Sequence, residues 1–378
     1  MRVVIAPDSF KECLRASEVA DALCAGWLEA MPDAEVIAFP MADGGEGTVD
    51  AVVRATGGRL VTRTVSGPLG APVEASYGLI QNGKVAVLEM AAASGLALVP
   101  PELRDPCRAS TRGTGELIAH ALDEGVEDII MGVGGSATND GGAGMAQTLG
   151  YRLLDKRGKE LEGGGVRLVQ LDRIDVSGRH PRLDGVNFYV ACDVNNPLCG
   201  PEGASAVYGP QKGASSEDIL ILDHALSHFA SVVERDLNVS LRDMPGAGAA
   251  GGLAGGLMAF AGATLENGLE LIATLCGLHQ ALAEADLVIT GEGSLDGQSA
   301  FGKTPAGIAR LARSYNVPVI ALGGRITHEA DALRDHGVTA LFSICPGPMS
   351  MKEARAGAAE NLRFTARQLA TLWSSARG

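Results

Sequence analysis

Aromatic side chains and positive charge are both scarce in this sequence, and these two shortages exclude the most. Of 378 residues, 2 are Trp, 5 Tyr and 8 Phe, too few for a protein that stacks bases to bind nucleic acid. Lys and Arg number 31 against 45 Asp and Glu, a formal net charge of −14, which argues against a nucleic-acid or anionic-membrane surface. A small anionic substrate is still allowed, because it needs only local cations. Paired cysteines are missing as well. The seven thiols, at 13, 24, 107, 192, 199, 276 and 345, form no C-x-x-C motif, and an odd scattered set fits a reducing cytoplasm. The opening MRVVIAPD has too short an apolar stretch for a signal peptide and reads as a strand. Residues 245–265 carry no charge, yet they are built largely from glycine and alanine. That is too weakly hydrophobic for a membrane span, so a tightly packed loop and helix is expected.

Glycine is what the chain has in excess: 51 residues, about 13% against a usual share near 7%. They cluster at 132–144 and 246–256, where backbone turns sharply or approaches a ligand closely. At about 150 residues per domain, the length favours two domains.

Residues 2–7 and 35–39 read as buried strands. Between them lies a helix with Val19, Ala20, Leu23, Cys24, Trp27 and Leu28 on one face, and a second helix is expected over 48–55. From 60 to 98 the pattern changes to strand-like runs (60–65, 73–79, 85–90) separated by turn signals, which predicts hairpins. The α/β rhythm returns with short strands at 287–290, 318–322 and 341–344, and a final helix over 351–373. The fold class expected is α/β: a flavodoxin/Rossmann-like parallel-sheet domain with a large inserted mixed α/β domain. Residues 1–61 and 263–378 would form the first domain and 62–262 the insertion.

Ligands of open parallel sheets bind beyond the carboxyl ends of the strands. Those ends carry Asp8, Ser9 and Lys11; Asp43, Gly44, Gly45 and Glu46; 291–296 with Glu292, Ser294 and Asp296; and Gly323, Gly324 and Arg325. Acidic groups on one rim suit the divalent cation of magnesium-nucleotide chemistry, although Asp and Gly are also ordinary residues after strands.

Three loops compete as phosphate sites. GQSAFGKT at 297–304 matches the Walker A pattern, with Lys303 for phosphates, but six residues separate it from the expected strand end at Thr290. Thr304-Pro305 reads equally as a helix start. GVGGSA at 132–137 matches G-x-G-x-x-A, with Asp155 placed to suit a nicotinamide dinucleotide. The same loop, through Gly134, Gly135, Ser136, Thr138 and Asn139, is equally a cradle for a phosphoryl group or a carboxylate. In the third, Asp193 stands with Asn195 and Asn196 after an apolar strand, followed by Gly209-Pro-Gln-Lys212-Gly213. It suits a base or a metal ligand, or a plain Asx turn. His224 and His228 lack the third partner of a zinc site.

Seven segments resemble signatures of the glycerate kinase family: 6–11 (APDSFK), 40–48 (PMADGGEGT), 132–145 (GVGGSATNDGGAGM), 191–200 (ACDVNNPLCG), 209–214 (GPQKGA), 245–252 (PGAGAAGG) and 286–293 (DLVITGEG). They run in family order over essentially the whole chain. The resemblance implies ATP- and Mg2+-dependent phosphorylation of glycerate, in the branch that makes 2-phosphoglycerate, on a two-domain α/β fold with its site between domains. Glu12, Cys13, Arg15 and Ser294 depart from the family pattern. On this reading Asp193 or Asp8 is the base and Lys11 assists. Gly134, Gly135, Ser136, Thr138, Asn139, Lys303 and Arg325 hold phosphates or substrate, while Glu292, Asp296 and Asp43 hold magnesium. The partners expected are glycerate and ATP, with no nucleic acid and no membrane; a homo-oligomer is compatible. A nicotinamide-dependent oxidoreductase and a non-catalytic glycerate-binding protein are the alternatives.

Overall fold

In chain order the strands are β1 (Arg2–Ile5), β2 (Glu35–Ala38), β3 (Arg59–Ser66), β4 (Pro72–Ile80), β5 (Val85–Glu89), β6 (Asp128–Gly132), β7 (Arg152–Leu154), β8 (Arg173–Asp175), β9 (Asn187–Ala191), β10 (Thr264–Glu266), β11 (Leu287–Leu295), β12 (Val319–Ile326) and β13 (Val338–Ser343). The structure, a computed structural model, describes residues 1–10, 13–41, 45, 47–300 and 303–377. The chain divides into two compact units: Met1–Asp43, Asp50–Thr56 and Leu269–Gly378 form the first, and Gly44–Val49 and Gly57–Gly268 the second.

The first unit is built on a parallel five-stranded sheet in the order β13-β12-β11-β1-β2. This is the flavodoxin-like order expected, with its switch point between β1 and β11. Val3, Ile5, Ile289 and Leu322 are buried against Leu23 and Trp27 of the helix Ala16–Ala30 and Leu362 of the terminal helix Ala358–Arg377. Leu28, expected on that face, is exposed. The two helices approach so closely at Gly26 that a Cβ there would lie 2.0 Å from the Arg363 carbonyl oxygen. Only glycine fits. β11 runs to Leu295, five residues past the expected end at Thr290, because Ser294 and Leu295 pair with Arg325 and Ile326 of an equally lengthened β12. Glu292 and Arg325 therefore sit in strand backbone instead of in loops beyond it.

The second unit holds a six-stranded sheet in the order β10-β9-β6-β5-β4-β3. β10, β9, β6 and β5 are mutually parallel, whereas β3, β4 and β5 form the expected hairpins. The glycine-rich segment at 246–256 packs beneath the loop after β6. Gly251 has φ +67°, and a Cβ on it would lie 2.0 Å from the Thr138 carbonyl oxygen, while the Gly141 N–H donates to the Gly251 carbonyl at 3.0 Å. The uncharged stretch forms a short turn, the helix Leu253–Ala261 and β10. No helix among the described residues is long and apolar enough to cross a membrane.

Candidate functional site

In the first unit, polar residues gather at the carboxyl ends of β1 and β11. The Asp8 N–H donates to the Gly291 carbonyl (2.8 Å), which locks the two strand ends side by side. Asp8 Oδ1 accepts from the Ser9 N–H (2.6 Å) and Oδ2 from the Thr304 hydroxyl (2.8 Å). Glu292 is buried. One of its oxygens accepts from the Ser299 hydroxyl, and the other lies 3.5 Å from Lys303 Nζ. Burial pushes the Glu292 carboxyl up, while Ser299 and Lys303 pull it down and Asp8 adds to the rise. Asp296 caps the turn Gly297–Ala300: its Oδ1 accepts from the Gln298 N–H at 2.9 Å. Lys303 has extended backbone at the start of the helix Thr304–Ser314, with Pro305 in its first turn. Lys303 therefore stands at an ordinary helix start following a turn. Phe301 and Gly302 of the Walker-like segment, and the candidates Lys11 and Asp43, lie outside the described residues.

A pocket of about 600 Å³ adjoins this cluster. Ser9, Glu292, Ser294, Lys303, Arg355 and the exposed Arg325 supply polar lining, and Phe10, Ile344, Met349, Met351, Ala354 and Ala358 apolar lining. The Ser294 Oγ has no hydrogen-bond partner among the described residues. The volume and the mostly apolar lining with a few convergent polar groups are those of a small-molecule site.

In the second unit the parallel strands end in a different kind of rim. After β6, no acceptor among the described residues takes the N–H groups of Gly134, Gly135 and Ser136. Gly135 is exposed and has φ +74°. Thr138, Asn139 and Asp140 are buried. The Thr138 Oγ1 and Asn139 Oδ1 have no partner among the described residues, while Asn139 Nδ2 donates to the Ser205 hydroxyl (2.9 Å). Asp140 accepts from the Thr111 N–H and hydroxyl and from the Gly142 and Gly144 N–H groups (2.8–3.3 Å). Burial pushes its carboxyl up and these donors oppose the push. Asp140 ties the loop to the helices Arg112–Asp123 and Ala143–Thr148.

Asp193 is exposed just past β9, and its Oδ1 accepts from Asn267 Nδ2 (2.6 Å) and the Gly268 N–H (3.0 Å). Asn196 is committed to its own loop, bonded to the Glu202 carbonyl and the Tyr208 hydroxyl.

Two rim residues have no role on the sequence alone: Glu89 is not singled out, and Lys212 is noted only as part of its loop. Glu89 closes β5 beside Gly132, and its Oε1 accepts from the Val49 N–H at 2.7 Å. A carboxylate ending an apolar strand was its signal. Lys212, from the GPQKGA segment, is 1% exposed, and its Nζ donates to Ser136 Oγ and the Thr138 carbonyl, both at 2.7 Å. Burial pulls it down to about 7, against the pull of Asp140.

The dinucleotide alternative loses its geometry. Asp155 lies in a turn bonded to the N–H groups of Arg157 and Lys159, and β7 pairs with β8 in a separate antiparallel sheet, outside the sheet that holds β6. A dinucleotide fold needs that acidic residue on a parallel neighbour of β6. His228 bonds the Leu171 carbonyl. No group of three His, Cys, Asp or Glu side chains among the described residues is placed to hold a metal. Magnesium needs fewer, since it keeps waters and binds through one or two carboxylates plus substrate phosphates. Asp8 and Glu292, hard oxygen donors on adjacent strand ends, fit that requirement.

Residues 3–374 match the model of the glycerate kinase family. A glycerate kinase of Bacillus subtilis is 52% identical over 98% of this chain and 97% of its own. A glycerate 2-kinase of Escherichia coli is 50% identical over 98% and 97%. A crystal structure described as glycerate kinase 2 from Salmonella typhimurium LT2 matches with a TM-score of 0.91 at 51% identity, covering 100% of this chain and 99% of that one.

Proposed function

The chain belongs to the glycerate kinase family, and from that premise we propose which of its residues serve each part of the reaction. The reaction is phosphoryl transfer to glycerate, with ATP as co-substrate. Such transfer depends on positioning and charge neutralisation more than on covalent chemistry by the protein. The pocket of the first unit takes the nucleotide. Its apolar wall, with Ile344, Met351 and Ala358, suits a base, and Lys303, Arg325 and Ser9 at its polar end suit phosphates. The observation that carries this reading is the pairing of Lys303 with buried Glu292 at that polar end. An incoming phosphate gives the ammonium a second anionic partner.

The carboxylates nearest those phosphates are Glu292 and Asp8, and we assign Mg2+ to them, with Asp296 and Asp43 as further candidates. When bound, the ion offsets phosphate charge. Lys11 joins Lys303 in steadying phosphates. In the second unit the N–H groups of Gly134, Gly135 and Ser136 hold the glycerate carboxylate, with Thr138 and Asn139 supporting the loop. Asp193 accepts the hydroxyl proton. Asn267 and Gly268 orient its carboxylate, and Asp8, bonded by Ser9 and Thr304, is the other candidate. The product is 2-phosphoglycerate, supported by the relative described as glycerate 2-kinase. A reducing cytoplasm suits the seven free thiols.

The test is ADP release from ATP with Mg2+, with and without D-glycerate, followed by phosphorus NMR of the product. Glycerate-dependent turnover to the 2-phosphate is expected. Turnover that ignores glycerate overturns the reading, and a 3-phosphate product overturns the assigned position.

A further inference from the structure

Lysine is almost never fully buried without a paired charge. Lys212 is, and no carboxylate among the described residues lies within 4 Å of its Nζ. Its described partners are the Ser136 hydroxyl and the Thr138 carbonyl, 76 and 74 residues away in sequence. We propose that Lys212 is a positioning residue for glycerate: by donating to Ser136 Oγ it turns the Ser136 hydroxyl hydrogen toward the carboxylate that the Gly134, Gly135 and Ser136 N–H groups receive. This rests on the kinase reading above.

A serine hydroxyl has one hydrogen and two lone pairs, and an ammonium has three hydrogens and no lone pair. With Lys212 donating into one lone pair, the Ser136 hydrogen must point elsewhere. Among the described residues no other group bonds the Ser136 hydroxyl. The bond to the Thr138 carbonyl fixes the ammonium from a second direction, so the hydroxyl has one orientation before any ligand arrives. Three N–H groups and one O–H then converge from a single loop, with a cation behind them in a region of low dielectric, where its field on an anion is strong. This is a site for a small carboxylate held by fixed donors.

Two charged groups adjoin Lys212. Asp140 lies in the same loop as Ser136 and supports the charged form, and the Arg104 guanidinium donates to the neighbouring Gln211 carbonyl at 3.4 Å. Burial brings the Lys212 ammonium down to about 7. The charge behind the cradle is therefore present below neutral pH and lost above it.

Steady-state kinetics of the full chain, varying ATP and glycerate separately, test the proposal with Ser136→Ala, Lys212→Met and the double variant. Each single variant is expected to raise the glycerate KM by about 10-fold or more, the scale of one hydrogen bond to a charged group, with the ATP KM unchanged. The double variant should be no worse than the worse single one, because both act through one hydroxyl. In the wild type the glycerate KM should rise as pH passes upward through about 7, and Lys212→Met should abolish that rise. If Lys212→Met does not fold, Ser136→Ala and the wild-type pH profile still decide. A wild-type glycerate KM in Ser136→Ala, a flat wild-type profile, or a rise in the ATP KM instead overturns the proposal. Failure of the kinase reading is seen separately, as a wild type without glycerate-dependent ADP release.

Discussion

The two units spend their polar residues in opposite ways. Both present parallel strands whose carboxyl ends carry glycines and carboxylates. In the first unit the polar groups line a pocket of about 600 Å³, with Lys303 half-buried and Arg325 exposed. In the second unit Thr138, Asn139, Asp140 and Lys212 are buried together, and Asp140 accepts four hydrogen bonds. A pocket lined by half-exposed charges exchanges partners when a ligand enters. A buried network holds its geometry in advance, because every broken bond inside it leaves a costly unsatisfied group. The first rim is therefore expected to tolerate changes in shape and register them as altered nucleotide affinity. The second is expected to register small changes as loss of fold or of turnover.

The strongest test of that contrast is Gly251→Ala. Its φ of +67° and a Cβ placed 2.0 Å from the Thr138 carbonyl should cost about 3 kcal/mol or more through strain and overpacking, seen as a large fall in Tm. A near-wild-type Tm would show that the network yields. Next is Asp193→Asn, which keeps an oxygen for Asn267 and Gly268 while removing the charge. Turnover should fall about 10²-fold, the scale of a lost general base, with Tm nearly unchanged. Full activity in Asn combined with a destabilised Asp193→Ala would make Asp193 a turn residue and move the base elsewhere, with Asp8 next in line in place of its magnesium role. Ala354→Trp probes the other side. Filling the first unit's pocket should raise the ATP KM about 10-fold by displacing apolar contact and leave the glycerate KM alone; an unchanged ATP KM would place the nucleotide elsewhere.

The smallest effect expected at any single step, read per pH unit, is a slope in stability. The folded Lys212 sits near 7, below its unfolded value near 10.4, so between these limits the unfolded chain binds the extra proton. Stability should then rise with pH across that window, by up to about 1 kcal/mol per pH unit, and the contribution is lost as pH falls toward 7. Denaturant unfolding of the wild type and Lys212→Met at several alkaline pH values would reveal the slope as a difference between the two.

Much of the fold and part of the site were legible along the chain. Apolar runs bounded by glycine or proline marked the strands of both sheets, and the change from helix-spaced to alternating patterns marked the hairpins β3 to β5. Asp8, Glu292, Lys303 and the 134–139 loop were readable because chemistry at strand ends is local in sequence. The length of β11 was not, since the apolar run stops at Thr290 and only pairing with β12 carries the strand to Leu295. Walker A and dinucleotide patterns were legible too, yet the turn at 297–300 and the separate β7–β8 sheet deny them their context.

By itself, the sequence determined which segments become strands and helices, that one sheet takes the flavodoxin-like order, and that the signature segments are those of a kinase of glycerate. The placing of strands and helices follows from spacing over a few residues, where side-chain period and backbone freedom act directly, while the kinase reading came from the resemblance of whole segments to a family. Only the tertiary structure decided that Lys212 lies behind Ser136, that Glu89 stands beside Gly132, that Asp140 is a tie inside the protein, and that Glu292 is paired with Lys303. Hydrogen bonding and desolvation depend on which atoms meet in space. Residues 76 positions apart, as Lys212 and Ser136 are, carry no local pattern that records their meeting.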